Sequence, residues 1–107
     1  MNIITNNTDK LEIAKAGLIH VIDPEIGLNI VDLGLVYEIN FEENSNNIMV
    51  SLTLTTQFCP MGESIIESSF QAMQQSFPGD EIHINLTFEP QWNQSMISEE
   101  GINFLNL

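Results

Sequence analysis

Apolar residues recur along this chain with two different periods, and the changes of period mark its elements. From Thr8 to Ile22, Leu11, Ala14, Leu18, Val21 and Ile22 fall at three- and four-residue intervals, the spacing of one helical face. Thr8 or Asp9 is the expected cap, with Asp9 and Glu12 at capping-box spacing. Pro24 is the expected stop, because the residue before a proline avoids the α region. Leu35 to Phe41 reads as a strand and Glu42-Glu43-Asn44-Ser45-Asn46-Asn47 as a hairpin loop. In the return strand, Ile48 to Thr55, Ile48, Val50, Leu52 and Leu54 alternate with polar or exposed-type positions. The helical period then returns in Met61, Ile65, Ile66, Ser69, Phe70, Met73 and Phe77, after Pro60, a favoured first helical residue, and before Pro78-Gly79. Ile82, Ile84, Leu86 and Phe88 alternate as a third strand that stops at Pro90, and a short last helix runs from Ser95 or Ser98 to Phe104.

The predicted order is helix-strand-strand-helix-strand-helix. The second strand, its helix and the third strand form a natural βαβ unit with parallel strands, while the first strand joins antiparallel through the hairpin. This predicts a small α+β two-layer domain over residues 1–107, with a three-stranded mixed sheet covered by helices on one face. Residues 1–7 are polar and patternless, and are expected to be disordered. A chain of 107 residues buries roughly 60–70% of the surface that its unfolded form exposes.

Charge narrows the partners. Lys10 and Lys15 are the only basic residues against 15 carboxylates, a formal net charge of −13. Neutralising phosphates requires Lys or Arg, so nucleic acid is excluded as a partner and an anionic membrane surface is disfavoured. No apolar run approaches the ~20 residues of a membrane span, and the start of the chain has no basic, apolar leader. With one cysteine the chain forms no internal disulfide, so a reducing cytoplasm is the expected setting. The negative field attracts cations and basic protein surfaces, or confers solubility alone.

That single cysteine, Cys59, falls between an alternating run and a proline that opens a helical one. A thiol at a helix N-terminus meets N–H groups and the positive end of the dipole, which favour the thiolate, while surrounding carboxylates oppose it. The plain alternative is a buried apolar cysteine. Parallel second and third strands would bring their carboxyl ends to one edge, where ligand crevices form. Thr55, Thr56 and Cys59 would meet Glu89 and Trp92 there, with Cys59 and Glu89 the candidate metal ligands and Trp92 a candidate lid on the core.

Asp23-Pro24-Glu25 reads as a turn, and Asp32, set in the apolar run Ile30-Val31-Asp32-Leu33, reads as a local cap or turn bond before a ligand. His20 and His83 have no partner at metal-ligand spacing. The chain has no CxxC pair, Walker loop, dinucleotide fingerprint or nucleophile elbow, and one thiol cannot by itself hold an iron–sulfur cluster.

Three segments resemble a known family. Asp23-Pro24-Glu25-Ile26-Gly27 with Asn29-Ile30-Val31-Asp32-Leu33-Gly34-Leu35-Val36-Tyr37 resembles the opening signature of the metal–sulfur cluster biosynthetic (PaaD/SufT-like) family. Leu52-Thr53-Leu54-Thr55 followed by Cys59-Pro60-Met61-Gly62 resembles its central motif, and Glu89-Pro90-Gln91-Trp92 with Met96-Ile97-Ser98-Glu99-Glu100 its closing one. Thr56-Gln57-Phe58 departs from the Ser-Pro-Gly-like turn common in relatives. The cysteine-rich extension of the oxygenase-associated branch is also lacking, which favours the stand-alone SufT-like branch.

The resemblance implies a small α/β fold and a part in iron–sulfur cluster assembly or delivery, as an adaptor and not a turnover enzyme. It implies a reactive Cys59, with Thr55, Asp23, Glu25 and Asp32 as further binding positions. It also implies scaffold or client proteins as partners, and an iron–sulfur cluster or iron as transient cargo not held tightly by a monomer. A homodimer would supply a second thiol. The competing reading is a small thiol-dependent enzyme with Cys59 as nucleophile and His20 or His83 as base.

Overall fold

The computed structural model describes residues 3–56 and 62–107. Among these described residues four strands and three α-helices follow in the order β1 (Ile4–Thr5), α1 (Thr8–Leu18), β2 (Val36–Phe41), β3 (Asn47–Leu52), α2 (Gly62–Ser76), β4 (Glu81–Leu86) and α3 (Glu99–Leu105). A turn of 3-10 helix, Gln94–Met96, precedes α3. The sheet order is β1-β2-β3-β4. β2 and β3 form the antiparallel hairpin, with Ile39 opposite Val50 and Phe41 opposite Ile48. β3 and β4 pair in parallel without a register break, Ile48 opposite Ile82 and Leu52 opposite Leu86. The expected βαβ unit is therefore present.

The sheet has four strands where the sequence pattern predicts three. The extra one comes from the stretch expected to be disordered. Ile4 and Thr5 lie parallel to Glu38 and Ile39 of β2. The Asn6 side chain grips the Phe41 backbone twice, donating to its carbonyl at 2.8 Å and accepting from its N–H at 2.9 Å. Two side-chain bonds hold a strand too short to show alternation.

The start and end of α1 also differ from expectation. Its cap is Asn7, whose side chain accepts from the Lys10 N–H at 3.0 Å, and not Thr8 or Asp9. The helix closes at Leu18 and not Ile22, because the next residues pair with a later segment. Ile30 N–H donates to the Val21 carbonyl at 2.9 Å and Ile22 bridges Asn29. Pro24 sits at the apex of that small loop and does not end the helix. Pro60 and Met61, expected to open α2, lie outside the described residues.

Alternation in β2 and β3 sends Ile39, Phe41, Ile48, Val50 and Leu52 into a core shared with Leu11, Ala14 and Leu18 of α1 and Ile65 and Met73 of α2. Ser69 lies on the buried face of α2 and is satisfied by donating to the Ile65 carbonyl at 2.7 Å. Glu38, Met49, His83 and Asn85 are exposed on the other sheet face. Among the described residues no helix is long and apolar enough to cross a membrane.

Candidate functional site

The acidic signature folds into two tight turns. Asp23 is almost fully buried. Its Oδ1 accepts from the Glu25 N–H at 2.9 Å, and its carbonyl accepts from the Gly27 N–H at 2.7 Å. Gly27 takes a positive φ of 83°, which glycine adopts without steric cost. Pro24 and Glu25 are left exposed at the apex.

Asn29 then caps a single turn. Its carbonyl accepts from Leu33 N–H at 3.0 Å and its Oδ1 from Asp32 N–H at 2.9 Å. Its Nδ2 donates to Asp32 Oδ2 at 2.8 Å. The other Asp32 oxygen accepts from Ser98 Oγ at 2.9 Å, and the Asp32 carbonyl accepts from Ser98 N–H at 2.7 Å. Ser98 is in turn the cap of α3, its Oγ accepting from Gly101 N–H at 3.0 Å. Asp32 thus joins the early loop to the C-terminal helix across 66 positions of sequence. Both of its oxygens have work inside the fold, as the cap reading expects.

Two more bonds lay the segment after β4 across the start of β2. The Trp92 indole N–H donates to the Leu33 carbonyl at 2.7 Å, and the Tyr37 hydroxyl donates to the Pro90 carbonyl at 2.7 Å. Gly34 makes room for this crossing. Its φ is +80°, and a Cβ there would lie 2.3 Å from the Met96 carbonyl oxygen. Trp92 is partly buried against the core, as the lid reading expects. Burial pushes the Tyr37 phenol above its ordinary value, while the neighbouring Thr53 hydroxyl pulls it the other way. Thr53 Oγ1 is itself buried with no bond short enough to satisfy it among the described residues.

The predicted site residues distribute as follows. Glu89 is exposed and lines a cavity of about 340 Å³ with Tyr37, Glu38, Ser51 and Asn85. Asp32 instead borders a groove of about 680 Å³ with Lys15, Gly34 and Ser98. Asp23, Glu25 and Thr55 line neither of these, and Thr55 is partly buried just beyond β3. Cys59, and with it any approach of its thiol to Glu89 or Trp92, lies outside the described residues. Among those described, no three His, Cys, Asp or Glu side chains converge to hold a metal. His83 stands on the open sheet face, its Nε2 at 3.4 Å from Asn47 Oδ1 and 3.7 Å from Glu81 Oε1. His20 is exposed just after α1.

Sequence reasoning missed Asn29 and Tyr37 as organising residues. The Asn29-x-x-Asp32 spacing, which matches a cap and its partner, could have revealed the first. Nothing in the local pattern announces the second.

A family model described as iron-sulfur cluster assembly protein matches residues 13–86. The chain belongs to that family. The matched span takes in Asp23, Glu25, Asp32, Thr55 and Cys59 and ends before Glu89. The chain is 39% identical over 82 residues to the Fe-S protein maturation auxiliary factor of Porphyromonas gingivalis, covering 77% of each. It is 37% identical over 78 residues to the Fe-S protein maturation auxiliary factor SufT of Staphylococcus aureus, covering 73% of this chain and 88% of the relative. The crystal structure of a domain of unknown function, DUF59, from Bacillus anthracis superposes with a TM-score of 0.84 at 33% identity, over 94% of this chain and 93% of that one. The SufT-like resemblance of the sequence motifs is thereby established, and the α+β fold with it.

Two outcomes are expected from this geometry. In a double-mutant cycle with Asp32→Ala and Ser98→Ala, urea unfolding should show a coupling of about 1–2 kcal/mol, because the pair shares one network; strictly additive effects would remove Asp32 from that role. The second concerns pH. The folded-state value of Tyr37 lies above its ordinary 10.0. Its contribution is therefore complete below the unfolded value and lost as pH rises through the folded one. Wild-type stability should accordingly fall above about pH 10 more steeply than that of Tyr37→Phe, measured by urea midpoints across that range.

Proposed function

We propose that this family member serves in the maturation of iron–sulfur proteins as a non-catalytic cytoplasmic adaptor. In this reading it takes iron or a cluster as transient cargo at the thiol of Cys59 and passes it to client apoproteins. The observation that carries the reading is the family match over residues 13–86, which includes the Cys59-Pro60-Met61-Gly62 motif. The names of the relatives as maturation auxiliary factors support it.

The scaffold suits such a role. β3 closes at Leu52 and α2 opens at Gly62, so the Cys59 segment is tethered on one side to a central strand and on the other to a helix start. A formal charge of −13 favours cationic cargo and basic partner surfaces. One thiol is too few for the set that usually holds a cluster, so the remaining ligands come from a second chain, from the partner itself or from oxygen and nitrogen donors such as Glu89. That arrangement makes release as natural as capture. Asp23 and Asp32 serve by shaping the loop, and exposed Glu25 is the acidic position turned outward to a partner.

The test is anaerobic reconstitution with iron and sulfide, following visible absorbance, iron content and molecular mass. Wild-type protein should acquire iron in a species larger than the monomer, and Cys59→Ser should acquire none. Equal iron in both proteins would take the cargo site away from Cys59.

A further inference from the structure

Among the described residues the sheet ends on β4, and no strand pairs with the outer edge of that strand. Glu81 N–H donates to the Asn46 carbonyl at 2.6 Å and Thr87 N–H to the Leu52 carbonyl at 2.8 Å, both toward β3. In a parallel ladder each second residue turns its N–H and C=O the same way. Glu81, His83, Asn85 and Thr87 therefore face β3, and Ile82, Ile84 and Leu86 turn their backbone groups outward. Among the described residues no hydrogen bond reaches those outward groups.

Exposed edges are usually blunted by proline, lysine, a bulge or brevity. The opposite edge follows this rule, since β1 has 2 residues. β4 does not: its sequence Glu-Ile-His-Ile-Asn-Leu runs 6 residues with neither proline nor lysine, in unbroken register.

An apolar ledge accompanies this edge. Gln74 Nε2 donates to the Asp80 carbonyl at 3.1 Å, which fixes that side of α2 beside the start of β4. Phe70 and Ile66 lie four and eight positions before Gln74, on the same helical ridge, which therefore runs along β4. Phe70 is 39% exposed and Leu86 40%. Glu63 and Glu67 are exposed on the α2 side of this edge, and Glu81 and Glu89 lie toward the open sheet face on its other side.

We propose that the β4 edge receives an extended basic segment of a partner protein, added to the sheet as a further strand. Backbone groups of Ile82, Ile84 and Leu86 would pair with it. Alternate apolar side chains of the segment would cover Phe70 and Leu86, and its lysines or arginines would meet the flanking carboxylates. A second copy of this chain is the poorer occupant, since each copy brings a formal charge of −13 and the lysines lie in or beside α1, at positions 10 and 15. The inference rests on the adaptor reading for calling the partner a client, though not for the edge itself.

The test uses an end-blocked nonapeptide alternating lysine with valine, and the same peptide with N-methylated valines, added to the full chain without iron. Amide hydrogen exchange followed by NMR is the readout. The plain peptide should slow exchange at Ile84 and Leu86 by roughly tenfold or more at saturation, and leave His83 and Asn85 unchanged. The N-methylated peptide should bind much more weakly. Leu86→Pro removes an outward N–H while leaving the β3 ladder intact, and should abolish binding. Phe70→Ser, at an exposed position, should weaken it. Equal binding of both peptides, or protection elsewhere than β4, would overturn the proposal. So would protection of Ile84 that rises with protein concentration in the absence of peptide, which assigns the edge to a second copy. Failure here leaves the thiol reading intact, and failure of reconstitution leaves the edge intact, so the two are separable.

Discussion

The parallel pairing of β3 with β4 is the constraint from which the other features follow. Parallel neighbours cannot be joined by a hairpin, so the chain must leave β3, cross the sheet through α2 and return. That crossing places both outgoing segments, the one carrying Thr55 and Cys59 and the one carrying Glu89 and Trp92, after strands that run the same way. It buries Ile65 and Met73 over the apolar face of the sheet. It also leaves β4 at the margin of the sheet, with no strand on its outer side among the described residues. The connection from β3 to α2 and the marginal place of β4 are thus two results of one topological choice.

The second organising feature is a set of tertiary bonds that replaces regular structure where helices and strands run out. Asp32 and Ser98 hold α3 against the early loop, Trp92 reaches the Leu33 carbonyl, and Tyr37 reaches Pro90. Residues 87–98 contain only a single 3-10 turn, yet these bonds fix their path across the start of β2. The acidic signature is therefore largely a means of building a rigid floor.

Much of this was legible because hydrophobic period reports burial directly. The alternation of Ile48, Val50 and Leu52, and of Ile82 and Ile84, located β3 and β4, and the βαβ order made them parallel. Asp32 stood out as an acid in an apolar run and behaves as a local bonding residue. What the pattern could not carry is pairing set by single long-range bonds. Ile4-Thr5 is too short to alternate, and its place depends on Asn6 meeting Phe41. The early end of α1 depends on Val21 and Ile22 finding Ile30 and Asn29, which outweighs the helical spacing of their side chains. The motif around Cys59 was found by resemblance, and the family match supports it.

Client maturation tests the central claim most directly. Cells whose only copy of this chain carries Cys59→Ala would be compared with wild type for the activity and cluster content of several iron–sulfur enzymes, with the amount of the variant protein checked in parallel. Normal accumulation of the variant with clients left short of cluster is the expected result. Full client maturation by a normally accumulating variant would contradict the assignment of the thiol as the working group.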